Sequence, residues 1–265
     1  MSFRLLLISA AAIFTMSGCG AAEESGPSTS ENQEVYISAA SSLQDVLEET
    51  AAEFEEKHPH IDIVFNFGSS GSLKQQISQG APVDLFISAS PFIFQELVSE
   101  NKMADDYYQN WLSNQLVLIE PVNTKDSISE IRDLRETKIS KIALGTPDSV
   151  PAGAYAKETL ENSGLWYSLE DKLIPSKNVR QALTYVESEN ANAGFVYLTD
   201  ALTSEKVRVV EEIDQSLHNP IVYPAGIVKG SEQTRSVVDV YEFLLSEEHA
   251  EDIESYGFRY AEEEK

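Results

Sequence analysis

VYISAASSLQDVLEETAAEFEEKHPHIDIVFNF, residues 35–67, is the segment on which the fold turns. Residues 35–39 are a short apolar run and predict a strand. Leu43, Val46, Leu47, Ala51 and Phe54 then recur at helical spacing over residues 42–57. Ser42 followed by Asp45 predicts a capped helix start, and His58-Pro59 predicts its end. Ile61, Ile63, Phe65 and Phe67 alternate, which predicts a second strand. Strand, helix, strand in so few residues is the beginning of a parallel sheet with crossovers.

The pattern continues outward. Gly68-Ser69-Ser70-Gly71-Ser72 reads as a turn, residues 73–79 as a helix ended by Gly80, and residues 83–88 as a strand. Ser90-Pro91 opens another helix, with proline in its first turn. Residues 115–119 predict a further strand. A second set follows, with strands at 141–144, 193–197, 207–210 and 221–228. Its helices are expected at 152–161, at 178–189 behind an Asn178 cap, at 231–245, and near the C-terminus. No repeat of 20–50 residues and no Pro/Gly-rich linker divides this region. If there are two lobes, the chain is expected to cross between them near 115–121 and 220–228.

Composition narrows the function. The chain has 265 residues, 19 Lys and Arg, 44 Asp and Glu, and a formal charge of −25. Such acidity argues against nucleic acid, which is held through clustered basic residues. One cysteine excludes an internal disulfide and a cysteine-rich zinc site. The N-terminus reads as an address: Arg4, an apolar run over residues 5–16, then Ser17-Gly18 before the lone Cys19. This grammar resembles a bacterial lipobox, so residues 1–18 are expected to be a signal peptide and Cys19 the lipidated residue. Residues 19–33 read as a flexible tether.

No catalytic constellation stands out. Gly68-Ser69-Ser70-Gly71 is not a nucleophile elbow, and neither a phosphate loop nor a dinucleotide fingerprint is present. A hydrolase using Ser70 would need a general base, and no histidine is near these turns in sequence. His58-Pro59-His60 reads as turn histidines rather than as metal ligands. The positive signal is a set of small-residue turns, at 39–42, 68–72 and 145–153, between a strand and a helix start. Helix starts offer unpaired N–H groups and partial positive charge, and small residues admit an oxyanion to them. Plain helix capping is the competing reading of each turn.

Several blocks together resemble the ModA-type molybdate-binding proteins of ABC importers. They are AASSL (39–43), FGSSGSL (67–73), GAPVDLFISA (80–89), GTPDSVPAGAYAK (145–157), NVRQAL (178–183), GFVY (194–197) and YGF (256–258). The resemblance implies an α/β fold of the periplasmic-binding-protein type. Each of its two lobes would be a mainly parallel sheet flanked by helices, with a two-strand hinge between them. Lobe 1 is expected at 34–117 plus 226–265, and lobe 2 at 118–225. It implies a binder rather than an enzyme, with no cofactor and with molybdate or tungstate as ligand. Ser42 and Ser70 would give hydroxyl and backbone N–H, Ala152 and Val179 backbone N–H alone, and Tyr197 its hydroxyl. Ser41 stands where the family usually has Ala and could compete with Ser42, and Gly71 would add flexibility to its turn. Asp45 and Asp148 are expected to point away from the site. The implied partners are an ABC permease and ATPase, and the implied state is a monomer on the extracytoplasmic face of the cell membrane. Sulfate, or tungstate alone, is the alternative ligand, and an adhesion or sensor lipoprotein the alternative role.

Overall fold

The computed structural model describes residues 32–125 and 127–261, so the signal-peptide and lipidation expectations lie outside the described residues. In chain order the first elements are β1 (Gln33–Ala40), α1 (Gln44–Lys57), β2 (Ile61–Gly68), α2 (Ser70–Ser78), β3 (Leu85–Ile87) and α3 (Pro91–Ser99). Next come β4 (Met103–Ser113), β5 (Leu116–Pro121), β6 (Ile142–Gly145), α4 (Pro151–Asn162), α5 (Trp166–Leu169), β7 (Leu173–Ser176) and α6 (Val179–Glu187). The chain ends with β8 (Ala193–Tyr197), α7 (Leu198–Leu202), β9 (Val207–Glu212), β10 (Val222–Val228), α8 (Arg235–Leu244), α9 (Ala250–Ser255) and β11 (Arg259–Tyr260).

Two sheets result, in the orders β11-β4-β10-β3-β1-β2 and β7-β6-β8-β5-β9. β1 lies between β3 and β2, so helices cover both its faces and its inner residues form an unbroken buried run. β2 is an edge strand, and its burial alternates as a half-covered strand requires. On α1, Val46, Leu47, Thr50, Ala51 and Phe54 form the buried stripe. The helix stops at His58, the residue before Pro59, because proline disfavours helical geometry in its predecessor. His58 stacks on Phe54 with ring centroids 4.3 Å apart, a packing role. Among the described residues no group of three or more His, Cys, Asp or Glu could hold a metal ion. One large apolar cluster runs through both sheets, and a smaller one joins Phe86 of β3 to Leu73 and Ile77 of α2 and to Phe94 and Leu97 of α3.

The fold is the expected two-lobed α/β architecture, with three corrections. The sheets are mixed rather than mainly parallel: β1/β2, β1/β3, β6/β7 and β6/β8 are parallel, and the other five ladders are antiparallel. The strand–helix units supply the parallel pairs, whereas β4, β5, β9, β10 and β11 pair antiparallel. The expected borders at 117/118 and 225/226 are displaced. β4 stays in the first sheet to Ser113, which pairs with Val222, so all of β10 belongs there. Leu116 and Val117 already pair in the second sheet. The crossings are therefore Asn114–Gln115 and the connection from β9 to β10, and the Asn114 N–H bonds the Ile221 carbonyl at 3.2 Å where they meet. Finally, Gln33 belongs to β1, paired with Ile61, and not to the tether.

Candidate functional site

Parallel strands place all their carboxyl ends on one edge. Ala40 of β1 is level with Gly68 of β2, and Ala39 with Ile87 of β3. In the other lobe Gly145 of β6 is level with Ser176 of β7, and β8 ends at Tyr197. The loops leaving these ends face each other across the cleft, the place where open α/β sheets bind ligands. Ser42, Ser70, Ala152, Val179 and Tyr197 all line one small cavity there, with Ser41 and Ala89 beside them. Its volume is about 10 Å3, about the space of a single water.

Each position has a local cause. Ser70 and Val179 are the first residues of α2 and α6, and Ala152 is the second of α4 after Pro151. N–H groups of a first turn have no acceptor within their own helix. Ser69 and Asn178 do the capping, accepting the N–H groups of Ser72 at 3.3 Å and Gln181 at 2.9 Å. The neighbours of the caps are thereby left to face the cavity. Ser42 departs from its expected role. It sits in a 3-10 turn, Ser41–Leu43, ahead of α1, and caps nothing. Its Oγ lies 3.0 Å from the Tyr223 hydroxyl. Ser70 Oγ accepts the Ala89 N–H at 2.9 Å, which leaves its own proton to donate elsewhere.

Tyr197 is 1% exposed, and its hydroxyl makes no well-formed hydrogen bond. The Tyr223 ring meets it edge-on, with centroids 5.9 Å apart. Burial and the neighbouring acidic groups push both phenols well above their ordinary pKa, so both keep their protons as potential donors. Asp45 and Asp148 stay outside the cavity as expected, Asp45 beside Arg180 and Asp148 exposed. Arg180 joins Asp45 of one lobe to Asp200 of the other, its Nε 2.8 Å from Asp200 Oδ1. Burial pushes Asp200 up to about 6, against the opposite pull of Arg180 and of the Tyr197 N–H. Neither Arg180 nor any other basic residue lines the cavity.

Contacts between the lobes include the Arg180–Asp45 pair, the Tyr155 hydroxyl with the Ala89 carbonyl at 3.4 Å, and the Gly71 N–H with the Ser149 carbonyl at 3.0 Å. Gly71 supplies close approach rather than the expected flexibility. A Cβ there would stand 2.7 Å from Ser149 O and 2.8 Å from its Cα. A much larger cavity, about 1160 Å3, opens beside Phe92, Lys74, Glu96 and Glu158. Both signs of charge line it and the site serines do not, so it lacks the convergent donors of the small cavity. Sequence reading missed Ala89, Tyr223 and Asn114. Only Ala89 carried a signal, as the residue after β3 in line with the other strand ends.

Residues 35–259 match the model of a family described as bacterial extracellular solute-binding protein. YvgL of Bacillus subtilis (strain 168), assigned as an ABC transporter substrate-binding lipoprotein, is 43% identical over 97% of each chain. The molybdate-binding protein ModA of Haemophilus influenzae is 36% identical over 88% of this chain and 92% of its own. The fold is also that of the Azotobacter vinelandii periplasmic molybdate-binding protein, with TM-score 0.76, 21% identity and coverage of 87% of this chain and 100% of the other. With two lobes meeting over donor-lined strand ends, and with these relatives, the chain belongs to the bacterial extracellular solute-binding proteins, among the ModA-type substrate-binding proteins of ABC transporters.

Proposed function

We propose that this protein captures molybdate, and equally tungstate, between its lobes and delivers it to an ABC permease driven by an ATPase. Ser42, Ser70 and Tyr197 offer hydroxyls, while the helix starts at Ser70, Ala152 and Val179 offer N–H groups and partial positive charge. The observation that carries this reading is the meeting of all five residues at one small cavity without a carboxylate in its wall. Molybdate and tungstate have no proton near neutral pH and need donors alone. Phosphate retains a proton there, which a donor-only site leaves unpaired. The protein acts as a binder and not as an enzyme, as a monomer tethered through a lipid on Cys19 to the extracytoplasmic face of the membrane. Sulfate is a second dianion of the same chemistry, and size discriminates against it.

Calorimetric titration with molybdate, tungstate, sulfate and phosphate tests the proposal. One-to-one binding of the first two, with little heat from the others, is expected. A preference for sulfate or phosphate would reassign the ligand. Ser42→Ala and Ser70→Ala each remove a hydrogen bond to a charged guest, worth about 1.5–3 kcal/mol, so affinity should fall roughly 10- to 100-fold. Wild-type affinity in both variants would remove these serines from the site. Gly71→Ala should weaken binding roughly 10-fold or more, because its methyl group keeps the lobes apart at a strain of about 1–3 kcal/mol. Its ligand-free melting temperature should stay near wild type, and an unchanged Kd would show that the bound form does not need the Gly71–Ser149 contact.

A further inference from the structure

Ser42 and Ser70 each have a polar partner seated behind them. For Ser70 it is the Ala89 N–H. For Ser42 the partner is the Tyr223 hydroxyl at 3.0 Å, and that geometry allows either direction. The direction is settled one bond further back. Asn114 Oδ1 accepts the Gln115 N–H at 2.8 Å, which turns Nδ2 the other way. Nδ2 donates to Thr199 Oγ1 at 2.9 Å and to the Tyr223 hydroxyl at 3.2 Å. A flipped amide would set its NH2 against the Gln115 N–H, donor against donor. The Tyr223 oxygen therefore receives a proton from Asn114. Its own proton has Ser42 Oγ as acceptor at 3.0 Å, while the buried Tyr197 hydroxyl beside it keeps its proton and stands toward Tyr223 as a donor. Ser42 Oγ accepts the Tyr223 proton, and the Ser42 proton is left to point into the cavity.

We infer that Asn114 and Tyr223 form a one-way donor relay that holds Ser42 as a donor and so sets the site's preference for oxyanions that carry no proton. The inference rests on the oxyanion reading above and adds to it residues that never touch the guest. Ser42 Oγ gives one of its two lone pairs to Tyr223 and aims its proton at the cavity, so the proton of a guest such as hydrogen phosphate has only the remaining lone pair to meet. Tyr223 is fully buried and Thr199 nearly so, so solvent cannot easily reset the chain of bonds. Asn114 and Tyr223 flank the two crossings between the lobes, and Tyr223 shares the lobe of Ser42. The donor is thus oriented before the guest arrives.

The test is titration of the detergent-solubilised full chain, wild type, Tyr223→Phe and Asn114→Asp, with molybdate and with inorganic phosphate. Loss of the relay in Tyr223→Phe frees the Ser42 hydroxyl to turn. Molybdate affinity should fall roughly 10-fold while phosphate affinity holds or rises, narrowing the ratio between them. Asn114→Asp places an acceptor where the relay begins. Tyr223 would then donate to it and receive from Ser42, so molybdate should lose more than in Tyr223→Phe and phosphate should lose less than molybdate. A plain charge effect would lower both anions together, and that equal loss overturns the relay. So does a wild-type ratio in either folded variant. If Tyr223→Phe does not fold, Asn114→Asp, at a half-buried position, carries the test. A folded wild-type chain that binds neither anion overturns the oxyanion reading, and the relay with it.

Discussion

Arg180→Ala is expected to cost about 3–5 kcal/mol of stability at pH 7.5, because it leaves the buried Asp200 carboxylate without its counter-charge. For a chain of this size that is a fall in Tm of roughly 6–20 °C. The cost should shrink at pH 5, and the sign follows from Asp200. Its folded pKa, about 6, lies above its ordinary value of 3.8. Between those two values the folded protein holds a proton that the unfolded chain has released, so stability falls as pH rises through this window. A displacement of about two units corresponds to about 3 kcal/mol. Without Arg180 the carboxyl climbs further and the decline extends above pH 6. At pH 5 the group is mostly neutral in both proteins, and little charge remains for Arg180 to compensate. Urea unfolding of both proteins at pH 5 and 7.5 checks this. An equal cost at the two pH values would mean that Arg180 stabilises through packing and not through Asp200.

Gly153→Ala is expected to damage the second lobe itself. A Cβ on Gly153 would fall 1.9 Å from the Gly145 carbonyl oxygen and 2.4 Å from its carbon. Both neighbours are backbone, so no side chain can turn aside. The first turn of α4 rests directly on the end of β6, and a methyl group must push the two apart. The expected cost is about 3 kcal/mol or more, a fall in Tm of roughly 6–12 °C. The Ala152 N–H moves with the displaced turn, so oxyanion binding should weaken as well. Melting curves with and without molybdate measure both effects. A variant that melts like the wild type would show that α4 and β6 are not in this contact in solution.

Much of the fold is legible in local pattern. β8 lies at residues 193–197 as read, and Asn178 caps α6 as read, because periodicity and capping are properties of neighbouring residues. Three strands escaped, β4, β7 and the two-residue β11. β4 has an interior of exposed Asp105, Asp106 and Tyr108 and irregular register against β10, so it shows no two-residue alternation. β7 is a four-residue edge strand containing Pro175, which a sheet accepts at an edge where no ladder partner needs its N–H. Ser42 shows the limit of the cap signal. Ser followed by an acidic residue predicts capping, yet a 3-10 turn intervenes and the hydroxyl turns to a tyrosine 181 residues away.

By itself the sequence determined which loops stand at the strand ends around the candidate site. Small-residue turns after strands and before helices put Ser42, Ser70 and Ala152 at the carboxyl ends of strands, the family resemblance added Val179 and Tyr197, and parallel pairing aligns those ends. The tertiary structure alone decided what stands behind and between them. The Asn114–Tyr223–Ser42 relay, the Asp45–Arg180–Asp200 bridge and the Gly71–Ser149 approach each join residues far apart in the chain. Their geometry depends on how two sheets and their crossings pack, and a local period of 2 or 3.6 residues carries no record of that packing.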